Sequence, residues 1–417
     1  MTAFLLARAI RYYRCNNSSN TGTPRPILHC SDAEDCREVI AGRSPFNGML
    51  ENTLTGYQSR AGPNQYLRRA FGIENAFTSE DNTVIREFVA LATKRMILQG
   101  TDWGKVAILA ATTLESSGFF EQTRNTSNST VIGTVPITSV AQVLCLTVVL
   151  STILQKDVDT TQYKDVLKLA EDINRIWVSS KNPEEEKRSN YQSETSFHDT
   201  LKAIFPNIQI SSPASNPLNL ILPSFETLWR IVLRTFLEVN FLIGNRSPDF
   251  KQVLVEFFNN PTKEQFNQEL SPSISAINVI SEALRLYPPT RRVNRHFQGP
   301  GSNERTLFAA DIEACHRNVR VWGPDALKFV PGRWNHLNEQ QKASFMPFGS
   351  KPFLCPAKPV FGPRMIALLV GALLRHYPEN WELSSVSGKR NINIVAEGKY
   401  LDRDACAQLY LVSDIRV

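Results

Sequence analysis

Apolar positions recur at helical spacing along most of the chain, and alternating runs are few and short. Asp81 to Leu98 has an acidic start and Lys94 and Arg95 in its last turns, which predicts a helix with Asp81 as its N-cap. Lys105 to Leu114 and Ile137 to Gln155 read as further helices. Within the second, Val140 to Leu154 is almost wholly apolar but too short to span a bilayer, which predicts a buried core helix. Gln162 to Ser179 is amphipathic, with Val166, Leu167, Leu169, Ile173 and Ile176 on or near one face. Lys181 to Asp199 is charged and reads as a surface connector or mobile loop. Asn216 to Val239 is one long helical pattern interrupted by Pro223. The proline lacks an N–H and disturbs the carbonyl four residues back, so the pattern predicts a kinked turn with the Asn219 carbonyl free. Strand signals are best at Asn391–Val395 and Leu409–Val412. Residues 1–80 carry Gly/Pro/Asn/Ser clusters at Asn16–Pro26 and Arg60–Gln65 and read as loop- and β-rich. The expected architecture is mainly α with small β-sheets, a single domain over 1–417 whose helical core runs from 81 to 417.

Composition narrows the function classes. The chain is 42% hydrophobic and 21% charged, with a formal net charge of +6 and an isoelectric point near 8.9. There is no basic block and no interleaved basic and aromatic stripe, so nucleic acid is not an expected partner. The mild positive charge suits an acidic redox partner or an anionic membrane surface without requiring either. The seven cysteines, Cys15, Cys30, Cys36, Cys145, Cys315, Cys355 and Cys406, include no C-x-x-C, which argues against a zinc site and for reduced thiols in a cytosol-facing compartment. The N-terminal stretch M-T-A-F-L-L-A-R-A-I-R-Y-Y-R is too short and too interrupted by arginine to cross a bilayer; it reads as an interfacial segment or an ordinary helix.

One stretch near the C-terminus concentrates the candidate chemistry. Phe345 to Lys358 reads F-M-P-F-G-S-K-P-F-L-C-P-A-K, and an apolar helical pattern runs from Pro356 to Leu374. Pro356 fits a first helical position, so Cys355 is expected at or just before a helix N-terminus, where the positive end of the helix and unpaired N–H groups favour thiolate over thiol. Such a thiolate in an apolar loop suits an axial ligand to heme iron. Taken alone, the loop is equally compatible with a buried structural cysteine. In the long helical pattern, Glu226 and Thr227 follow Pro223 within one turn. A hydroxyl and a carboxylate beside a distorted turn suit the holding of water and the passing of protons; a core helix with Glu226 on its solvated side is the plainer alternative.

Three further motifs complete the set. Ile280–His296 reads I-S-E-A-L-R-L-Y-P-P-T-R-R-V-N-R-H, with Glu282 and Arg285 three apart on one helix face and Pro288–Pro289 as the stop. Downstream lie H-R-N-V-R-V-W-G-P-D-A from His316 and F-V-P-G-R-W from Phe329. The ordered set of acid–threonine helix, E-x-x-R, P-x-R-W and cysteine loop resembles the cytochrome P-450 family over roughly residues 213–417. Phe348, Gly349, Cys355 and Ala357 match that family's F-G-x-G-x-R-x-C-x-G/A loop. Lys351 replaces its second glycine, and Phe353 replaces the arginine that pairs with a heme propionate. Pro-Ser-Phe-Glu-Thr-Leu stands where the family has A/G-G-x-D/E-T-T/S.

The resemblance implies a cytochrome P-450 fold, with heme b between a long central helix and the Cys355 loop. It implies Cys355 as the iron ligand, Phe348, Gly349, Phe353 and Ala357 around the cofactor, and Arg295, with Lys351 assisting, at a propionate. A structural clamp of Glu282, Arg285 and Arg333 would brace the loop. Glu226 and Thr227 would serve proton delivery, and Arg86 is the weak candidate for a second propionate partner. The implied activity is a monooxygenase acting on a hydrophobic small molecule with O2 and electrons from NADPH through NADPH-cytochrome P-450 reductase. The departures are similar to those of fungal members in secondary-metabolite biosynthesis. Peripheral contact with the endoplasmic reticulum membrane stays open, with no clear transmembrane anchor. A heme-thiolate protein catalysing a non-oxygenating rearrangement or cyclisation, and a degenerate non-catalytic member, are the alternatives.

Overall fold

The computed structural model describes residues 27–45, 51–118, 121–124, 131–242, 247–270, 274–358, 360–378, 381–385 and 409–415. Strand β1 (Leu28–Cys30) leads into α1 (Ala33–Ala41), whose N-cap Asp32 accepts from the Glu34 and Asp35 amides. Helix α2 (Gly56–Ala61) opens on a capping box, Thr55 with Gln58, and a 3₁₀ turn over Gly62–Asn64 carries the chain into α3 (Gln65–Phe71). The Arg60–Gln65 cluster, expected as a loop, is therefore inside almost continuous helix. Pro63 lies in the first turn of the 3₁₀ segment, where its missing N–H costs nothing. Of the described residues of 1–80, expected as loop- and β-rich, about half are helical and the rest are loop apart from β1; Asn16–Pro26 lies outside them.

Helix α4 (Asn82–Arg95) starts as its sequence predicts, with Asp81 accepting from the Thr83 amide at 2.6 Å. Then come α5 (Gly100–Ser116), strands β2 (Glu121–Arg124) and β3 (Val131–Val135), α6 (Ile137–Thr152) and α7 (Tyr163–Ser179). Helix α6 is buried along almost its whole length, as an apolar core helix must be. The charged stretch 181–199 is not a plain connector. It makes two 3₁₀ turns and enters α8 (Thr195–Ile204), and it buries Tyr191 and Phe197. Its charges face outward and mask a small apolar face of Phe197, Leu201 and Ile204 at helical spacing.

Helix α9 (Leu218–Leu237) continues into a π-helical turn over Glu238–Leu242. Pro223 lies inside it, and the Asn219 carbonyl it displaces is not left free: Asn75 Nδ2 donates to it at 3.1 Å. The Asn219 side chain also accepts from the Glu74 amide and donates to the Pro213 carbonyl, so the turn is tied to the segment after α3. The remaining elements are α10 (Pro248–Asn259), α11 (Lys263–Asn267), α12 (Ala276–Leu286), β4 (Arg292–Gln298), β5 (Arg305–Asp311), α13 (Ile312–His316), α14 (Val319–Trp322), α15 (Glu339–Ser344), α16 (Phe361–His376), β6 (Glu382–Ser384) and β7 (Tyr410–Ile415). The strand expected at Leu409–Val412 is β7; the one at Asn391–Val395 lies outside the described residues.

The strands form two small sheets. One has the order β1-β5-β4, with β1 parallel to β5 and β4 antiparallel to it; the other is antiparallel in the order β2-β3-β7-β6. The main core lies where α9 packs on α6 and α16, α10 packs on α16, and α5 packs on both α6 and α16. A second apolar cluster under the first sheet gathers Cys30, Cys36, Val39, Ile40, Phe297, Phe308 and Cys315. No helix among the described residues is long and apolar enough to cross a membrane.

The contact between α10 and α16 is close enough to require a glycine. A Cβ on Gly371 would stand 2.3 Å from the Leu254 carbonyl oxygen, which is backbone and cannot rotate away. Gly371→Ala is expected to destabilise the protein by about 1–3 kcal/mol, as overpacking does, seen as a lowered thermal midpoint. Gly104→Ala, in α5 with open space around it, should leave the midpoint unchanged or raise it.

Candidate cofactor site at the cysteine loop

The site is built on one carboxylate. Glu282 on α12 is fully buried and accepts five hydrogen bonds. Its Oε1 accepts from Arg285 Nη2 at 2.8 Å, the Val330 amide at 2.9 Å and Arg333 Nε at 3.0 Å. Its Oε2 accepts from Arg285 Nε at 2.9 Å and Trp334 Nε1 at 3.1 Å. Arg285, also fully buried, spends its other N–H groups on the carbonyls of His316, Ala326 and Lys328. Arg333 reaches the Trp322 carbonyl and both the side chain and the backbone of Asp325. Spacing pairs Glu282 with Arg285, and the family resemblance adds Arg333; Val330, Trp334 and Asp325 are additions that only the folded geometry reveals. Two guanidiniums thus meet two carboxylates, and the planar forks use their donors in full.

His316 carries this rigidity to the cysteine loop. Its Nδ1 faces the Arg285 carbonyl at 3.2 Å, and its Nε2 accepts from the Met346 amide at 2.9 Å. The ring must therefore be neutral, with its proton on Nδ1. Burial and the neighbouring Arg285 push its pKa down to about 3. From Met346 the loop closes on itself. Gly349, at φ +73, donates to the Met346 carbonyl, and the Cys355 amide donates to the Phe348 carbonyl at 3.0 Å. Only glycine takes that backbone conformation at no cost.

Two expectations about Cys355 change. The helix begins at Phe361, not Pro356; ahead of it Lys358 N–H donates to the Cys355 carbonyl and Gly362 N–H to the Ala357 carbonyl. The sulfur therefore does not sit at the helix end, and the helix end does not hold it as a thiolate. Burial instead pushes the thiol up, opposed by a backbone hydrogen bond from Ala357.

The loop has a partner that its own pattern does not announce. Gly56, Tyr57 and Arg60 of α2 pack on Phe353: a Cβ on Gly56 would meet the ring at 3.1 Å, Tyr57 packs edge-on, and the Arg60 guanidinium lies 4.2 Å from the ring centroid. Arg295 of β4 reaches the same ring at 5.3 Å. Arg60 is 6% exposed and Arg295 4% exposed, and among the described residues neither pairs with a carboxylate. Arg295 donates to the Ile40 and Asn294 carbonyls, whereas Nε and Nη2 of Arg60 have no hydrogen-bond partner among the described residues. Burial pulls Arg60 down to about 10, and burial with repulsion from Arg60 pulls Arg295 down to about 9. Two neighbouring buried cations without an anion are costly, at several kcal/mol per ion. Arg86, the weak propionate candidate, is exposed on α4. The signal that would have found α2 is its capping box, T-x-x-Q, just ahead of Gly56.

Glu226 and Thr227 lie on α9, which packs against α16. Glu226 is buried, not solvated, and Thr227 Oγ1 donates to the Pro223 carbonyl at 3.3 Å. The threonine hydroxyl, rather than an open Asn219 carbonyl, is thus the polar group that the proline turn presents.

Comparison with known proteins places this arrangement. Residues 276–394 match the model of the family described as Cytochrome P450. A benzoate 4-monooxygenase, bphA of Aspergillus niger, is 47% identical over 90 residues, which are 21% of this chain and 16% of that protein. Cytochrome P450 52-M1 of Starmerella bombicola is 36% identical over 153 residues, 32% of this chain and 28% of its own length. The match thus spans less than a third of the length of either relative. The fold extends further: a six-coordinated cytochrome P450 from Thermus thermophilus superposes with a TM-score of 0.55 at 16% identity, covering 84% of this chain and 85% of that one. Residues 276–394 are thus similar to the cytochrome P450 family, whose cofactor is heme b on a cysteine thiolate, and the likeness of fold covers most of the chain.

His316 makes the site pH-sensitive with a definite sign. Its pKa falls on folding, so the unfolded chain binds the extra proton; the stabilisation is complete above about pH 6.5 and is lost as pH drops toward 3. Between pH 7 and pH 5 this group should cost about 2 kcal/mol, at roughly 1.4 kcal/mol per pH unit below the unfolded pKa. Urea titrations across that range should show His316→Gln, though less stable at pH 7, losing less stability on acidification than the wild type. Equal slopes would show that His316 is not held neutral.

Proposed function

We propose that the protein is a heme-dependent monooxygenase that oxidises a hydrophobic small molecule, with Cys355 as the axial ligand of the iron. The observation that carries this reading is the pair of buried guanidiniums, Arg60 and Arg295, which meet no carboxylate among the described residues and lie against the ring of Phe353, two residues before Cys355. A planar group bearing two carboxylates and a metal that takes up a thiolate fits that donor set. Phe353, standing where the family's arginine is usual, gives the ring on which both guanidiniums lie. Arg60 takes over the anion-binding duty of that missing arginine, beside Arg295. Heme, when bound, supplies the activation of O2.

The protein's own part is placement and proton control. Glu282, Arg285, Arg333 and His316 hold the loop so that the Cys355 sulfur has one position. The Ala357 N–H donates to that sulfur and tempers its charge, and metal binding removes the proton that burial otherwise favours. Phe348, Gly349 and Ala357 shape the loop around it. On α9, Thr227 Oγ1 exchanges its hydrogen bond to Pro223 for one to a bound water and passes protons, with Glu226 in the same turn as their reservoir. Electrons come from NADPH through NADPH-cytochrome P-450 reductase. The relative in Aspergillus niger supports the oxidation of a small molecule; a place in secondary-metabolite biosynthesis and peripheral contact with the endoplasmic reticulum membrane are part of the same proposal, carried by the departures in the cysteine loop. A second reading, a non-oxygenating rearrangement, is favoured by one observation: Asn75 already occupies the Asn219 carbonyl that the distorted turn would offer to water. Product formation without NADPH and reductase would select that reading.

Reduced, heme-loaded protein under CO is expected to show the absorption of a thiolate-ligated ferrous complex, and Cys355→Ala to lose it; a wild type without that absorption contradicts the assignment. Arg60→Met should weaken protoporphyrin IX binding by roughly tenfold or more, the worth of a charge-assisted hydrogen bond, while leaving binding of its dimethyl ester unchanged. Equal losses for both porphyrins would remove Arg60 from the anion site.

A further inference from the structure

Four charged residues stand one turn apart along α9 and its π-helical end: Glu226, Arg230, Arg234 and Glu238. Arg230 is half-buried and the other three are buried. Their contacts tie the helix to the chain just after α12. Arg230 Nη2 donates to the Pro289 carbonyl at 3.0 Å. The Tyr287 hydroxyl donates to Glu238 Oε2 at 2.7 Å; the Arg234 guanidinium lies 2.7 Å from the same oxygen and over the Tyr287 ring. Ahead of Pro223, Asn219 is tied to Glu74, Asn75 and Pro213. The helix is thus held on both sides of the turn that the proline weakens. Between the two sets of ties lie Glu226 and Thr227.

We propose that Arg230 is a positioning residue that sets the direction of the Thr227 hydroxyl, which rests on the reading of Thr227 given above. Arg230 Nε donates to the Glu226 carbonyl at 2.8 Å. That carbonyl belongs to the same planar peptide as the Thr227 N–H, so the guanidinium holds the backbone from which the Thr227 side chain springs. The hydroxyl's own bond, 3.3 Å to the Pro223 carbonyl, is long for O–H to O and does not fix it. Pro223 has also removed one rung of the helix just there, so the turn depends on outside ties for its shape. A planar guanidinium spans two carbonyls of separate segments with donors at fixed angles, which an ammonium does not. Pro289 follows Arg285 by four residues. The hold of Glu282 on α12 therefore reaches two places: the cysteine loop through His316, and Thr227 through Arg230.

Two measurements on the full-length protein test this, and the first needs no heme. In Arg230→Met the amides of 225–230 should exchange with deuterium roughly tenfold faster or more, the worth of a charge-assisted hydrogen bond, while those of α6 keep their protection. Unchanged exchange overturns the proposal. The second measurement reads the hydroxyl through the infrared C–O stretch of the reduced CO complex, a band that responds to polar hydrogens beside the bound gas. Arg230→Met should shift or split the band in the wild-type background and leave it unmoved in the Thr227→Ala background, because the effect runs through that hydroxyl. Equal shifts in both backgrounds, or none in either, overturn the assignment. Should Arg230→Met misfold, Arg230→Lys, which keeps the charge but not the bridge, is held to the same outcomes. A wild type that forms no thiolate-ligated CO complex contradicts the proposed function instead, and the exchange measurement then decides for Arg230 alone.

Discussion

A buried carboxylate shared by two arginines is the constraint on which the rest of the molecule depends. Glu282 carries its charge at zero exposure, and it is tolerable only because five donors converge on it. A pair of this kind adds little net stability compared with an apolar replacement, but removing one member leaves a bare charge at roughly 3–5 kcal/mol. The arrangement therefore selects one geometry. Helix α12, the segment from Ala326 to Trp334 and the end of α13 must all be in place before Glu282 and Arg285 are satisfied.

That geometry is then exported. Arg285 gives its carbonyl to His316, and His316 takes the Met346 amide, so two bonds separate the buried clamp from the cysteine loop. On the other side, α2 presses Gly56, Tyr57 and Arg60 against Phe353. The loop is thus held between a fully satisfied polar cluster and an electrostatically unsatisfied one. The contrast divides the two sides: Glu282, Arg285 and Arg333 leave almost no donor unused, while Arg60 and Arg295 meet no carboxylate among the described residues.

Local spacing made the scaffold legible. Glu282 and Arg285 are three apart on a helix ended by two prolines, and Phe329–Trp334 resembles a segment of the cytochrome P-450 family, so spacing named two clamp residues and the resemblance the third. Trp334 Nε1, the Val330 amide and the His316 bridge could not, because they depend on how separate segments meet. Arg60 was hidden for a different reason. It stands beside Gly62 and Pro63, letters that usually break helices, while the capping box at Thr55 pointed the other way. The helix after Cys355 was placed too early because Pro356 suits a first turn. Pro359 disfavours helical backbone at the residue before it, and Pro363 is tolerated in the first turn of a helix that starts at Phe361. The stretch 181–199 looked mobile because its charges outnumber its buried positions, yet Tyr191 and Phe197 anchor it.

The central claim is that the carboxylate of Glu282 keeps the cysteine loop in one conformation. Hydrogen–deuterium exchange of the wild type and of Glu282→Gln measures it directly. The amides of 346–358 should exchange at least about tenfold faster in the variant, which corresponds to roughly 1.4 kcal/mol, while those of α6 and α9 keep their protection. A folded Glu282→Gln protein whose loop amides exchange at the wild-type rate would contradict it.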